Sequence, residues 1–429
     1  MPNAAQKIWP THCSVTNAVR SINFLIDYQC PQCGAPATLE ETDRIFNCGF
    51  CRVKSFLVPQ KYFRYMLPNR APAGKELVYF PYWRFKGMTF ACMPSGIKKR
   101  FVDQSYQAIQ SVYFPVSVGF RSQTLKLSFA TPEVKGLFLK PTVKMEQVLE
   151  VVNSRFVANL PEPILHRSYI GDVFSMLYAP FYVEERIIDA VLNKPVSPKL
   201  PDEFDIEAFG GGRPDWGLGF LPTQCPDCGW DLEGERDMLA VNCVNCKTLW
   251  QPQNNALAKL DVAYLPGEGP NLTYLPFWRI RADIKGIQLN TYADLIKVAN
   301  LPRVVQDFMI SQPFHFWAPA FKVRPESYLR LASSITLAQS SEKLVSNVPV
   351  DRRIPVNLPL KEAIETMKLN IANFMVPKQV VEMKLPGIEI KPESHLLVYL
   401  PCSEGPHEYL LPRLHLAINK NLLAMAKYL

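Results

Sequence analysis

The sequence predicts an α+β fold made of two similar units in tandem. Two cysteine quartets share a C-x2-C, fourteen-residue, C-x2-C spacing and lie 195 positions apart: Cys30, Cys33, Cys48, Cys51 and Cys225, Cys228, Cys243, Cys246. A Tyr-x-Pro-aromatic-Trp-Arg motif at 79–84 recurs at 274–279 with the same offset. The 38 prolines in 429 residues exceed the roughly 5% of an average chain and favour short strands over a helical bundle. We therefore predict an internal duplication in which each unit has a four-cysteine site, then a small, mostly antiparallel sheet with covering helices.

Composition divides the chain into four segments. Residues 1–21 form an N-terminal segment, residues 22–193 the first unit and residues 220–429 the second unit. Residues 194–219 are rich in proline, acidic residues and glycine, which is typical of a linker between domains.

Each cysteine quartet has the spacing of a closed metal site. A C-x2-C pair on a tight turn directs both thiolates at one ion, and two such turns complete a tetrahedral site. Gly34 and Gly229 follow the second cysteine of each first pair, where positive φ lets the turn close. These Cys-Pro-x-Cys-Gly turns resemble the zinc-ribbon superfamily over residues 30–51 and 225–246, and the resemblance implies two structural Zn²⁺ ions. The rest of the chain resembles no named family.

Two alternatives to zinc remain. The first is a pair of disulfides per unit in a secreted protein, which we disfavour because residues 1–30 lack a charged n-region followed by an apolar h-region. The second is a rubredoxin-like iron site in an electron carrier, but the short spacer and the lack of glycine after Cys51 and Cys246 favour zinc. Because cysteine fills all four positions, we expect a structural and not a hydrolytic metal. We also expect each ribbon to lose its metal without unfolding the other unit.

The repeated aromatic motif predicts a strand in each unit, with its Trp and Tyr buried. Apolar runs at 176–180 and 397–401 predict the closing strands. Helical spacing appears at 145–157 and at 360–374. Because Arg84 and Arg279 recur in both units, we expect them to satisfy a structural carboxylate or to stack on an aromatic ring.

The two units differ in charge after their cysteine quartets. Residues 52–100 contain eleven Lys or Arg and one acid, whereas the matching residues 247–296 contain five basic and four acidic residues. The first unit is therefore predicted to face an anionic partner, nucleic acid or an anionic membrane surface among them. The candidate contacts are Lys54, Lys61, Arg64, Arg70, Lys98, Lys99 and Arg100. The alternatives are a solvated basic face over buried aromatics, or cover by the acidic residues of the linker.

The sequence predicts a protein without enzymatic activity. It contains no nucleophile elbow, zincin, kinase or dinucleotide motif, and no apolar run of the roughly 18 residues that a membrane span needs. We expect a cytoplasmic scaffold or adaptor that acts through protein contacts, in a larger assembly. The main alternative is a nucleic-acid-binding protein that uses ribbon one and residues 52–100, and an enzyme or redox carrier is the third. Exposed aromatics among residues 62–90 would favour nucleic acid.

Overall fold

The computed structural model describes residues 25–119, 124–157, 160, 163–214, 216–269, 272–340, 342–349, 352–414 and 416–426. The N-terminal segment 1–21 lies outside the described residues. Helices and strands are mixed, which is compatible with the α+β class. Within these ranges, every helix is too short or too polar to cross a membrane.

Strands outnumber helices. The strands of the first half are β1 Leu25–Gln29, β2 Pro36–Glu40, β3 Ile45–Asn47, β4 Lys54–Pro59, β5 Phe63–Met66, β6 Val78–Met93, β7 Gly96–Gln107, β8 Leu127–Phe129, β9 Leu137–Leu139, β10 His166–Val183, β11 Ile187–Asp189, β12 Lys194–Pro195 and β13 Gly211–Gly212. Those that follow are β14 Leu218–Pro222, β15 Leu232–Glu233, β16 Val241–Cys243, β17 Leu249–Gln253, β18 Ala256–Leu260, β19 Val262–Tyr264, β20 Leu272–Lys285, β21 Phe316–Pro319, β22 Arg352–Arg353, β23 Glu389–Glu404, β24 Glu408–Leu411 and β25 Leu416–Asn419. The helices are α1 Met145–Val157, α2 Tyr292–Val298, α3 Asp307–Ser311, α4 Pro325–Ala338, α5 Leu360–Glu365, α6 Met367–Phe374, α7 Lys378–Lys384 and α8 Lys420–Ala426.

The sheet of the first half is built on the antiparallel pair β6 and β10. All sixteen residues of β6 are buried, and their Val, Tyr, Phe and Trp side chains favour a strand packed on both faces. The short strand β5 runs parallel to β10 on its other edge. Eleven strands join this sheet, more than the small sheet that the sequence predicts, because the hairpin β1–β2 extends it through β8. This hairpin and the hairpin β3–β4 carry the first cysteine quartet, and we call the two together (residues 25–59) the first ribbon.

The second half repeats this pairing in a sheet of seven strands. β20 is antiparallel to β23, and β19 runs parallel to β23. The indole N–H of Trp83 donates to the carbonyl of Val143 at 2.8 Å, and the indole N–H of Trp278 donates to the carbonyl of Leu358 at 3.0 Å. The two tryptophans occupy matching positions of the repeated motif, and a helix, α1 or α5, begins two residues after each accepting carbonyl.

Residues 194–219 lie against the first half. Strand β13 pairs with β9, and Trp216 is buried in the core beneath this segment. Strand β14, which begins in the segment, pairs along its whole length with β4 of the first ribbon. The connection between the halves therefore completes the sheet β14-β4-β3.

Two hydrophobic clusters join the halves. Met88, Phe90 and Ile170 of the first half belong to the large core of the second half. The backbone N–H of Gly171 donates to the carboxylate of Glu362 at 2.6 Å across the same contact. The strands β15–β18 with the second cysteine quartet (residues 225–260) are called the second ribbon. A smaller cluster, which we call the ribbon core, joins the two ribbons and contains Ile45, Phe56, Leu232, Val241 and Trp250.

One helical prediction differs in detail. Residues 145–157 form α1 as the spacing indicates, but residues 360–374 form two helices, α5 and α6, that meet at Thr366. The hydroxyl of Thr366 donates to the carbonyl of Ala363 at 2.7 Å and lies 3.0 Å from the hydroxyl of Tyr328. A threonine that bonds to its own helix in this way bends or interrupts it.

Candidate metal centres

The first cysteine quartet lies at the ends of two hairpins. Cys30 and Cys33 follow β1, and Cys48 and Cys51 lie between β3 and β4. Gly34 has a φ of 71° and its N–H donates to the carbonyl of Cys30 at 2.9 Å, so the turn closes as the sequence predicts. The four sulfur atoms lie within 4.8 Å of one another.

The second quartet has the same construction. Cys225 and Cys228 lie between β14 and β15, Cys243 is the last residue of β16, and Cys246 lies between β16 and β17. Gly229 has a φ of 73°, and its N–H donates to the carbonyl of Cys225 at 2.8 Å. These four sulfur atoms also lie within 4.8 Å of one another.

The turn that follows the second pair of each quartet uses a residue other than glycine. Arg52 has a φ of 60° and Lys247 a φ of 57°, so both lie in the left-handed region. The N–H of Arg52 donates to the carbonyl of Cys48 at 3.1 Å. A left-handed residue with a side chain costs on the order of 1 kcal/mol, which a closed metal site readily offsets.

The distances between sulfur atoms fit a metal site and exclude disulfides. They are 3.7 Å for Cys30–Cys51 and Cys33–Cys48, 3.5 Å for Cys225–Cys246 and 3.4 Å for Cys228–Cys243. Four thiolates at about 2.3 Å from a tetrahedral ion are about 3.8 Å apart, whereas a disulfide is about 2.05 Å long. The cysteines of the described chain form no disulfide. Each quartet can therefore hold a metal ion.

The pKa values of these thiols differ, because hydrogen bonds lower some and burial raises others. The backbone amides of Cys51 and Phe50 donate toward the sulfur of Cys48 and lower the pKa of its thiol to about 6. Burial, together with the neighbouring Cys228 thiol, raises the pKa of Cys243 to about 12. Four thiolates therefore need a cation at their centre, because a bound metal deprotonates a coordinating thiol outright.

Polar neighbours support the second quartet. The hydroxyl of Thr248 lies 3.0 Å from the sulfur of Cys246 and accepts a hydrogen bond from the indole of Trp250 at 2.8 Å. Such a bond from the protein orients a ligand around the metal. Lys259 of β18 pairs at 2.9 Å with Asp227, which lies in the Cys225–Cys228 turn.

Two cations of the basic stretch are buried and paired. Arg84 contacts both the carboxylate of Glu41 and, through two bonds of 2.8 and 2.9 Å, the carboxylate of Asp103. The ammonium of Lys86 lies 3.3 Å from Glu41. Arg84 thus satisfies a structural carboxylate, as the sequence predicts, and does not face a partner.

The seven candidate contacts for an anionic partner lie on several elements. Lys54 on β4 and Arg64 on β5 are half-buried, and the guanidinium of Arg64 lies 5.3 Å from the ring centroid of Tyr62. The other five are exposed: Lys61, Arg70, Lys98, Lys99 and Arg100. Lys99 lies 3.9 Å from Glu326 of the second half.

The aromatic side chains of the basic stretch belong mainly to the core. Tyr65, Tyr79, Tyr82, Trp83 and Phe85 are buried, whereas Tyr62 and Phe63 are half-buried. Base stacking requires exposed ring faces. The stretch therefore lacks the row of exposed aromatics that would favour nucleic acid.

A cleft brings Lys61 together with cations that the sequence analysis missed. It is lined by Lys61, Arg44, Lys144 and Lys361, which come from distant parts of the chain. A residue-by-residue comparison of the two units could have found Arg44, because Leu239 occupies its place 195 positions later. Pro359 corresponds to Lys144 only through the matched indole bonds of the fold.

Searches of protein family models, curated proteins and solved structures with this chain found no match.

Proposed function

We propose that this protein is a non-enzymatic scaffold or adaptor, stabilised by two structural zinc ions and acting through contacts with other proteins in a larger assembly. The observation that carries the proposal is that cysteine fills each quartet completely. A closed four-thiolate site leaves no position for substrate or a reactive water. The metal then acts as a cross-link that stabilises the short hairpins of the ribbon.

Zinc is the metal that we propose for both quartets. Four thiolates in tetrahedral geometry suit zinc or iron, and the repeated Cys-Pro-x-Cys-Gly turns favour zinc. Elemental analysis of the purified protein should give two zinc ions per chain, one for each quartet. Iron in comparable amount, with visible absorption, would make the protein an electron carrier and contradict the scaffold.

We infer that the two halves descend from one duplicated unit. The offset of the cysteine quartets equals that of the aromatic motif, and the pairings of β6 with β10 and of β20 with β23 correspond. The matched indole bonds of Trp83 and Trp278 support the same inference. We also propose a cytoplasmic location, because reduced thiols are maintained in reducing compartments.

The ribbon turns offer apolar side chains to a partner. Phe50 and Trp230 are 72% and 56% exposed, and Val244 is 46% exposed. All three lie within or directly beside the C-x2-C turns. Tryptophan is enriched among the residues that dominate protein interfaces, so these turns are the contacts that we assign to the scaffold.

Affinity purification tests this function. The tagged protein is recovered from cells that express it, with nuclease treatment, and the proteins bound to it are quantified beside those bound to a Phe50→Ser, Trp230→Ser variant. We expect a partner in constant ratio to the chain, reduced by the double substitution while zinc content and circular dichroism stay unchanged. Recovery of partners only without nuclease would contradict the proposal.

Nucleic-acid binding is the second candidate, favoured by the exposed Lys98, Lys99 and Arg100 on β7. Binding to DNA and RNA is measured across a salt series, with all three residues changed to Glu as the control. Contacts to phosphates would give affinity that falls steeply with salt. We expect no tight binding at moderate salt; tight binding that the control abolishes would replace the scaffold function.

A further inference from the structure

A cationic cleft lies where the two halves meet. Its volume is about 730 Å³, within the range typical of ligand sites. Strand β6, the residues before β5 and the start of α1 form it from the first half. Lys361, in the first turn of α5, closes it from the second half.

The charge of this cleft is strongly positive. Four cations, Arg44, Lys61, Lys144 and Lys361, line it against one acid, Glu146. The three lysines are exposed, and no carboxylate of the described residues forms an ion pair with them. Lysines gathered without ion-pair partners repel one another, so an anionic partner gains affinity by relieving that repulsion.

A second cleft supplies an internal comparison. It lies on Trp278, which corresponds to Trp83 of the cationic cleft, and has a volume of about 260 Å³. Pro359 occupies the place of Lys144, directly after the carbonyl that accepts the indole bond, and Leu239 the place of Arg44. Arg44 lines both clefts, but among the described residues the second cleft holds no lysine and its other lining side chains are uncharged. The same local construction therefore forms without the lysines.

Aromatic side chains form the floor of the cationic cleft. Tyr62, Phe63 and Phe174 are half-buried and keep part of their ring surface exposed. The guanidinium of Arg44 lies 5.3 Å from the ring centroid of Phe63, and that of Arg64 lies equally close to Tyr62. Phe63 also stacks on Tyr65 at a centroid separation of 5.9 Å, Tyr62 packs edge-to-face against Trp83 at 4.9 Å, and Phe174 packs edge-to-face against Phe85 at 5.4 Å. These contacts reduce the ring faces that are free to stack on a ligand.

These features favour an acidic peptide over a nucleic acid. The four cations come from four separate elements around an open cleft, and an extended peptide with several carboxylates can reach all of them. Apolar side chains of such a peptide pack against ring edges, whereas bases need free ring faces for stacking.

We propose that this cleft binds an acidic segment of a partner protein in which aromatic side chains alternate with carboxylates. The proposal rests on the scaffold function, because it specifies the charge and the side chains of the protein that the scaffold binds. Long side chains of lysine supply mobile charges at the rim, and electrostatic attraction of this kind sets association rate and selectivity.

Fluorescence anisotropy with a short labelled peptide of alternating glutamate and phenylalanine tests the proposal on the full-length protein. We expect binding at low salt that weakens as salt rises. Combined Lys61→Glu, Lys144→Glu and Lys361→Glu substitutions should weaken it by about tenfold or more. The control is Lys98→Glu, Lys99→Glu and Arg100→Glu, an equal charge change outside the cleft, for which we expect less than about twofold.

Three further probes decide between outcomes. A glutamine-phenylalanine peptide should fail to bind, and a glutamate-serine peptide should bind more weakly than the original. Absence of peptide binding, or equal losses in the two triple variants, would overturn the proposal. Tighter binding of a single-stranded oligouridylate through the same lysines would overturn it in favour of RNA. Because the partner assay of the ribbon turns uses Phe50 and Trp230, it can succeed or fail independently.

Discussion

At the scale of single residues, a buried charge network fixes the boundary between the first ribbon and its sheet. Glu41 precedes β3 and contacts Arg84 and Lys86 of β6, and all three side chains are 1% exposed. Burial raises the pKa of Glu41, but the charges of Arg84 and Lys86 outweigh burial and lower it below its ordinary value. The carboxylate therefore stays ionised and holds the ribbon against β6.

Replacement of Glu41 by Gln should lower the free energy of unfolding by roughly 3–5 kcal/mol, because two cations then remain buried without their shared carboxylate. Urea denaturation measures the loss, and Glu146→Gln, on the exposed first turn of α1, is the matched control. Since the folded pKa is depressed, the wild-type contribution is present above the unfolded pKa and disappears as pH falls through the folded value. A loss equal to that of the control would contradict the prediction.

Two half-buried histidines predict sensitivity to acid. Burial lowers the pKa of His166 to about 4, aided by Lys368, and burial lowers that of His315 to about 4. Between the unfolded value of about 6.5 and the folded value, only the unfolded chain takes up the proton. Stability should therefore fall as pH falls from 6.5 to 4, by up to ~3 kcal/mol for each histidine.

The melting temperature as a function of pH measures this effect. His166→Gln should remove about half of the slope in that window, because His315 remains and has a similar shift. A variant with the full wild-type slope would assign the acid sensitivity to other groups.

Sequence spacing predicted some of these residues and not others. The cysteines were predictable because their partners are close in the chain and the pattern occurs twice. The sequence predicted that Arg84 pairs with a carboxylate. It did not identify Glu41 as that partner, because the two residues are 43 positions apart. Lys61 was predicted, whereas Lys144 and Lys361 come from distant elements that only the fold brings beside it.

At the scale of elements, β6 and β10 pack closely at a pair of glycines, Gly87 and Gly171. A side-chain carbon at Gly87 would lie 2.4 Å from the carbonyl oxygen of Ile170 and 2.6 Å from the Cα of Gly171. The register of the two strands shifts between Ile170 and Val173, directly beside this contact. A bulge of this kind re-aims a strand, and here it directs Gly171 toward Glu362 of the second half.

Gly87→Ala should therefore lower the free energy of unfolding by about 1–3 kcal/mol, the usual cost of overpacking a close contact. Gly217→Ala is the control, since a side-chain carbon there has open space within 4 Å. Thermal unfolding compares the two, and equal melting temperatures would show that the strands separate at little cost.

Strand identity and strand pairing differ in how well the sequence predicts them. Aromatic and β-branched runs identify β6, β10, β20 and β23, because these side chains suit a buried pleated surface. The sequence carries no signal for the parallel pairings of β5 and β19, which need contacts distant in the chain. The break between α5 and α6 was also missed, because a local hydroxyl bond overrides hydrophobic spacing.

At the scale of the whole molecule, the two ribbons are not independent units. Ile45 and Phe56 of the first ribbon share the ribbon core with Leu232 and Trp250 of the second. The pairing of β14 with β4 adds a continuous row of backbone hydrogen bonds. The sequence offered no sign of this contact, because residues 194–219 have the composition of a loose linker.

Cys228→Ser should therefore affect both metal sites, in contrast to the independence expected from sequence. Metal analysis should give one ion per chain in place of two, one for each intact quartet. A chelator should then remove the remaining ion faster than from wild type, because unfolding of the second ribbon exposes Ile45 and Phe56. Cys33→Ser is the reciprocal control, and unchanged release rates in both variants would restore modular independence.

The strand β14 also constrains how the protein is made. Among the residues that the structure describes, the outer edge of β4 pairs only with residues 218–222, which leave the ribosome after the whole first half. Until then the growing chain carries an open strand edge that can pair with other chains. A nascent chain that stalls or is cut before β14 thus leaves the edge of β4 open to aggregation. Synthesis of β14 covers this edge and protects the first half.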